Sequence, residues 1–303
     1  MPELRFLSEG PHAGSRTSLL RDSKVAKVIR LSPRKASSRR GGSRSEALSP
    51  EDYRVLRHAK KLLDTPGLAG KIARRFGVTA EKGLHLLPPQ WNDRVAEVVH
   101  KSLEAALKIS LKTVTGESNG AAWERSHRLA VGAAGAIGGA FGLAGLALEL
   151  PVSTVYIMRS VVYIARSEGE VLHSPETHLA CLEVFALGGT GRPTDSAYFA
   201  IRGALARSIT EAANHLALNG LTEHGAPAVL RFISQVATRF GVNVTHKLAA
   251  QAIPLAGAVG GAVVNSIFTS HFQNVARGHF IVRRLERVYS PGLICDEYDH
   301  LSM

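Results

Sequence analysis

Few residues in this chain have both the type and the spacing for chemistry. Gly116-Glu117-Ser118-Asn119-Gly120 has the G-x-S-x-G spacing that presents a nucleophilic serine on a strand-to-helix turn. That turn needs a parallel sheet, and the flanking residues read as helix, so a turn between helices accounts for it better. His173-Ser174-Pro175-Glu176-Thr177-His178 gathers metal-ligating types, but it is neither H-E-x-x-H nor H-x-x-E-H. Pro175 keeps His173 off the following helix, and the segment reads as a capped helix start. Cys181 follows His178 by three residues, a spacing at which an imidazole could activate a thiol. Asp64-Thr65-Pro66-Gly67 matches a GTPase switch motif, but the chain has no G-x-x-x-x-G-K-[ST] loop to hold the phosphates. It has no G-x-G-x-x-G either. No cofactor is expected, and no metal or catalytic residue is assigned. A soluble hydrolase using Cys181 or Ser118 remains the enzymatic alternative.

The elements around these residues are more informative. Two long uncharged stretches, Leu129 to Leu148 and Leu248 to Ser270, are rich in small residues. The first holds Gly132, Gly135, Gly138, Gly139, Gly142 and Gly145; the second holds Gly257, Gly260 and Gly261. Each is long enough to cross a hydrocarbon core, which takes about 20 helical residues. Glycine costs about 0.8–1.0 kcal/mol relative to alanine in a helix, so tight packing must compensate. G-x-x-x-G pairs at Gly135/Gly139, Gly138/Gly142 and Gly257/Gly261 allow such close approach between membrane helices. A buried hairpin in a soluble bundle would use the same residues, and Glu149 and Arg159 favour that reading.

Composition bounds the classes. The mean hydropathy of +0.03 is too low for a polytopic membrane protein. Two distant cysteines provide neither a disulfide framework nor metal spacing. Of the net charge of +12, residues 1–48 carry +7. These residues are rich in Ser, Arg, Gly and Pro and read as a disordered basic tail. Within it Lys24, Lys27 and Arg30 border Val25, Val28 and Ile29, a pattern suited to an anionic surface. Without interleaved aromatics, nucleic-acid binding is not expected. The Arg/Ser-rich stretch 16–44 also fits an organelle transit peptide. A helical domain is expected over 49–290, opening at Ser49-Pro50-Glu51-Asp52, with helices near 50–64, 68–76, 91–115, 152–165, 175–187, 198–219 and 226–240. A basic helix over 272–289 presents Arg277, Arg283, Arg284 and Arg287 to the same anionic surface, and 291–303 reads as a tail. The fold class is therefore all-α: a bundle around glycine-rich apolar hairpins.

Several landmarks fall in one order: Leu63-Asp64-Thr65-Pro66-Gly67-Leu68, Leu86-Leu87-Pro88, the glycine run ending at Glu149-Leu150-Pro151, and Ser174-Pro175-Glu176 leading into Cys181–Gly189. Ile253-Pro254 with Gly257-Ala258-Val259-Gly260-Gly261 closes the series. This order resembles the EcsC protein family over roughly residues 50–290. Ser167-Glu168-Gly169 stands where that family often has Tyr-Gly. The resemblance implies a helical protein without accepted catalytic residues. The family's name comes from a genetic association with an ABC transporter, which implies membrane work. The expectation is a non-enzymatic protein on the cytoplasmic side of a bacterial inner membrane, or in the cytoplasm. It would be accessory to a transporter or to envelope homeostasis, with a membrane-protein partner or a second copy of itself. A membrane-inserting effector that oligomerises through its glycine-rich helices is the other membrane reading.

Overall fold

Ser49 starts the first helix as its sequence requires. Its hydroxyl accepts the Asp52 N–H at 3.1 Å and donates to the Asp52 carboxylate at 2.7 Å. Tyr289, 237 residues later, donates to the same carboxylate at 2.7 Å, and its oxygen accepts the Ser49 N–H at 3.2 Å. The two ends of the helical unit are thereby joined.

The computed structural model describes residues 47–64, 66–77, 83–87, 91–113, 143–188, 197–220, 227–252 and 257–301. Nine helices fill most of them: α1 (Pro50–Leu63), α2 (Leu68–Phe76), α3 (Trp91–Thr113), α4 (Leu143–Ser167), α5 (Pro175–Leu187), α6 (Ala197–Asn219), α7 (Pro227–Ala252), α8 (Gly257–Val288) and α9 (Pro291–His300). No strand occurs among the described residues, and the all-α expectation holds. Residues 1–46 of the basic tail, Ser118 and Gly132 to Gly142 lie outside them.

The core is built around α5. Every residue from Thr177 to Leu187 is buried, as befits a helix that is apolar on all sides. Helices α3, α4, α6, α7 and α8 all pack against it. Phe185 meets Phe240 of α7 edge-on at 4.9 Å and Phe272 of α8 at 5.3 Å. These offset and edge contacts suit the aromatic quadrupole.

Three expectations change. The helix expected near 152–165 begins earlier, at Leu143, and takes Pro151 into its interior as part of α4. A proline there deprives the carbonyl four residues back of its donor. Ala147 and Leu148 on that turn are exposed, so the backbone there is open to solvent. The Leu248–Ser270 stretch is shared between two helices, with Leu248 to Ala252 ending α7 and Gly257 to Ser270 lying in α8. The basic 272–289 helix is the second half of α8. Residues 291–303 are more than a tail, since α9 buries Ile294 and Tyr298. Lys60 of α1, itself buried, donates to the Tyr298 carbonyl at 2.9 Å, and the Tyr298 hydroxyl donates to Asp64 at 3.0 Å.

Candidate functional site

The carboxylate of Glu170, just after α4, is where two arginines of α8 converge. Arg283 donates to its two oxygens at 2.9 and 3.1 Å, and Arg287 donates to one of them. Burial opposes the Glu170 charge, but these guanidiniums hold its carboxyl below the usual carboxylate range. Arg284 pairs with Glu168 at 2.8 Å. Within a turn of these arginines on α8, Glu286 makes a bidentate pair with Arg202 of α6 at 2.6 and 2.9 Å. Burial works against the Arg202 charge, yet Tyr198, Glu286 and Glu183 together raise its pKa.

Behind this ion-pair layer lies a dry polar cluster. Tyr198 of α6 and His279 Nδ1 of α8 are 3.0 Å apart, and His279 Nε2 is 3.6 Å from Glu183 Oε2 on α5. Burial raises the Tyr198 pKa, so its hydroxyl keeps its proton and donates to Nδ1. That leaves the Nε2–H facing Glu183 beyond hydrogen-bond reach. Burial pushes Glu183 up to about 7, against the pull of Arg202 and Arg283. Burial also takes His279 well below its ordinary value, helped by the same two arginines. The cluster is sealed, so it locks α5, α6 and α8 together rather than meeting a substrate.

Two further buried contacts cross the bundle. Lys247 of α7 donates to Glu149 of α4 at 2.5 Å and lies 4.7 Å from the Phe268 ring centre, with both ionic groups almost wholly buried. His271 Nε2 donates to the Gly188 carbonyl at 2.7 Å, which leaves Nδ1 to accept from Lys71 at 2.9 Å. Burial and the Lys71 charge push His271 down to about 4. Gly188 leaves room for this contact: a Cβ there would come within 2.6 Å of Phe272 and 3.1 Å of His271 Nε2.

Two features reach the surface. The first is one face of α4. Leu148 is 71% exposed and Tyr163 74%, with the half-buried Val152, Tyr156 and Arg159 between them and exposed Arg166 beyond. These positions recur every three or four residues and form one stripe. Among the described residues, Ala147–Ser167 is the segment long and apolar enough to cross a membrane, and 56% of its window is buried in the protein. The second is a groove of about 420 Å³ between α3 and α7. At one end His100 lies 3.2 Å from the Ser234 hydroxyl through Nε2 and 3.1 Å from Glu104 through Nδ1.

The model of the EcsC protein family matches residues 56–285. The chain belongs to the EcsC family. No curated protein and no solved structure matches it. The EcsC match runs from Leu56 in α1 to Leu285 in α8, so it contains the sealed cluster, the α4 face and the groove. Pro291–His300 lies beyond it.

The residues singled out from the sequence fare unevenly. Gly145 lies in the first turn of α4, Gly257 and Gly260 open α8, and Gly261 is buried there. Lys24, Lys27 and Arg30 lie outside the described residues. Arg277 is exposed and donates to Asn274 at 3.0 Å. Arg283, Arg284 and Arg287 have internal acidic partners instead of an open basic face. Lys247 is an inward cation, paired with Glu149. Cys181 is fully buried, and burial raises its thiol pKa, so it has the character of an inert core residue. Among the described residues no group of three His, Cys, Asp or Glu is placed to hold a metal. Sequence reasoning missed Ser234, His100 and Glu104. The H-x-x-x-E spacing from His100 to Glu104 was visible, but a serine 130 residues away carries no local sign of its partner.

Proposed function

We propose that this EcsC-family protein works at a membrane surface as an accessory helical protein, beside a transporter or in envelope homeostasis. The exposed face of α4 carries the reading. Leu148, Val152, Tyr156 and Tyr163 place apolar and amphipathic side chains along one stripe, and Arg166 adds positive charge at its end. Tyrosine rings favour the headgroup level, and arginines attract anionic lipid. The opposite face of α4 packs into the bundle against α3, α5 and α8. A helix buried on one side and apolar on the other suits an in-plane seat at the interface, with its apolar side chains some 5–10 Å into the headgroup boundary. The cytoplasmic leaflet, which carries anionic lipid, is the surface that fits.

Fractionation of the full chain tests this. The protein is expected in the membrane fraction, resistant to a moderate salt wash and released by alkaline carbonate. Recovery in the soluble fraction without any wash would sink the proposal. Retention through carbonate would replace the in-plane seat with embedded helices.

A further inference from the structure

The groove between α3 and α7 holds a serine, a histidine and a carboxylate in series. Helical serines and threonines in this protein mostly turn their hydroxyls back onto their own helix: Ser102 donates to the Val98 carbonyl at 2.6 Å, Thr238 to Ser234 at 3.0 Å and Thr245 to Gly241 at 2.9 Å. That back-bonding is the usual fate of such residues. Ser234 differs, for its hydroxyl meets His100 Nε2 across the helix interface at 3.2 Å. On the far side of the ring, Nδ1 faces Glu104 Oε1 at 3.1 Å, one helical turn along α3. Placing the ring proton on Nδ1, the nitrogen that faces the Glu104 carboxylate, leaves the Nε2 lone pair for the serine. Nucleophile, base and orienting group thus stand in the order that acyl transfer needs.

The groove beyond them is suited to an apolar chain. Its lining includes the small or apolar Val95, Ala96, Ala237 and Gly241, with Asn92 and Thr238 as uncharged polar neighbours. Trp91 and Thr245 lie at the end away from Ser234. From His100 to Trp91 is nine helical residues, or about 13 Å at 1.5 Å each. The volume of about 420 Å³ lies in the range of small-molecule sites. Nothing stands within 4 Å of a Cβ built on Gly241, so the floor is open there.

We infer that Ser234 is the nucleophile of an acyl-ester site, with His100 as its base, Glu104 as positioning residue and the α3–α7 groove as the seat of the acyl chain. The Ser234 Oγ bonds to the ester carbonyl carbon as its proton passes to His100 Nε2. The tetrahedral adduct then loses the alcohol, which takes that proton from His100, and an acyl-serine remains. Water attacks the acyl carbon, gives a proton to His100 and displaces Ser234, which recovers its hydrogen as the carboxylic acid leaves. Because the groove is open, solvent supplies hydrogen bonds to the oxyanion, and activated esters are the substrates expected to react. The site is independent of the membrane reading, and its test needs no lipid.

The full chain is mixed with p-nitrophenyl butyrate and p-nitrophenyl decanoate. Nitrophenol release is followed, and peptide mass mapping locates the acyl group. The expected result is an acyl group on Ser234 and faster reaction with decanoate. Ser234→Ala abolishes the adduct, and His100→Ala slows it at least 100-fold. Glu104→Gln slows it about tenfold and changes the pH profile of acylation, which a merely structural role would not do. Gly241→Leu, which fills the groove, reverses the preference toward butyrate, with circular dichroism checking that the variant is folded. Absence of acyl-Ser234, or acylation of Ser234 at an unchanged rate in the His100→Ala protein, would overturn the inference. Unchanged chain-length preference in the Gly241→Leu protein would overturn the groove as acyl seat.

Discussion

Replacing Lys247 by Met strands the Glu149 carboxylate in the bundle. The pair is 2.5 Å apart and almost wholly buried, so water cannot take over from the lost ammonium. At an effective dielectric of 20, two unit charges about 3.5 Å apart attract by roughly 5 kcal/mol. Desolvation offsets much of that in the intact pair, but the single variant keeps the cost and loses the attraction. Breaking one side of a buried pair costs about 3–5 kcal/mol. In a unit of this size each kcal/mol moves the midpoint by about 2–4 °C, so the Lys247→Met protein should melt roughly 6–20 °C lower. The apolar double variant Glu149→Leu/Lys247→Met removes both charges and should recover most of the loss. Thermal and urea unfolding of the four proteins of this cycle measure the coupling. Single variants that each shift stability by under 1 kcal/mol, with no coupling, would refute the reasoning.

Other outcomes follow from the same geometry. Glu183 is raised from 4.5 to about 7, so its folded form binds an extra proton between those values. Its contribution to stability is complete below pH 4.5 and is lost as pH rises through 7, by up to roughly 3 kcal/mol. The Glu183→Gln protein should therefore lose less stability than the parent between pH 5 and pH 8 in urea titrations; parallel losses would contradict this. Gly278→Ala should destabilise by about 1–2 kcal/mol, because its Cβ would lie 2.7 Å from Leu63 Cγ and 3.0 Å from the Ala59 carbonyl oxygen where α8 crosses α1. Gly241→Ala meets open space in mid-helix and should stabilise by about 0.4–1 kcal/mol. Equal midpoints for these two alanine variants would show that the close approach of α1 and α8 is not what holds Gly278.

Two helix starts were legible from a cap and a proline standing together, while the same signal at Ser290-Pro291, which opens α9, went unread. Ser49-Pro50 and Ser174-Pro175 open α1 and α5 at the expected residues, and Gly77 ends α2 in the left-handed conformation. Such signals are local. Ser174 shows their limit: its backbone caps α5, but its hydroxyl is spent on the Glu176 carboxylate. The polar pairs were not legible, since Glu149 with Lys247 and Glu170 with Arg283 join residues about a hundred positions apart. Charge counting alone placed the α8 arginines on a basic surface, whereas packing turned Arg283, Arg284 and Arg287 toward carboxylates and left Arg277 exposed. Gly188 and Gly278, which carry no helix-packing motif in the sequence, each fit a close contact. Pro151 misled because a break signal at one turn was outweighed by apolar residues on both sides of it.

Membrane contact through α4 is most directly tested by flotation of the full chain with anionic phosphatidylserine/phosphatidylcholine vesicles, comparing the parent with Leu148→Glu/Tyr163→Glu. Both side chains are exposed, so the substitutions leave the core intact, which circular dichroism checks. The account predicts that the parent floats with the vesicles and the double variant stays at the bottom, folded. Equal flotation of both proteins, or failure of the parent to float, would contradict it.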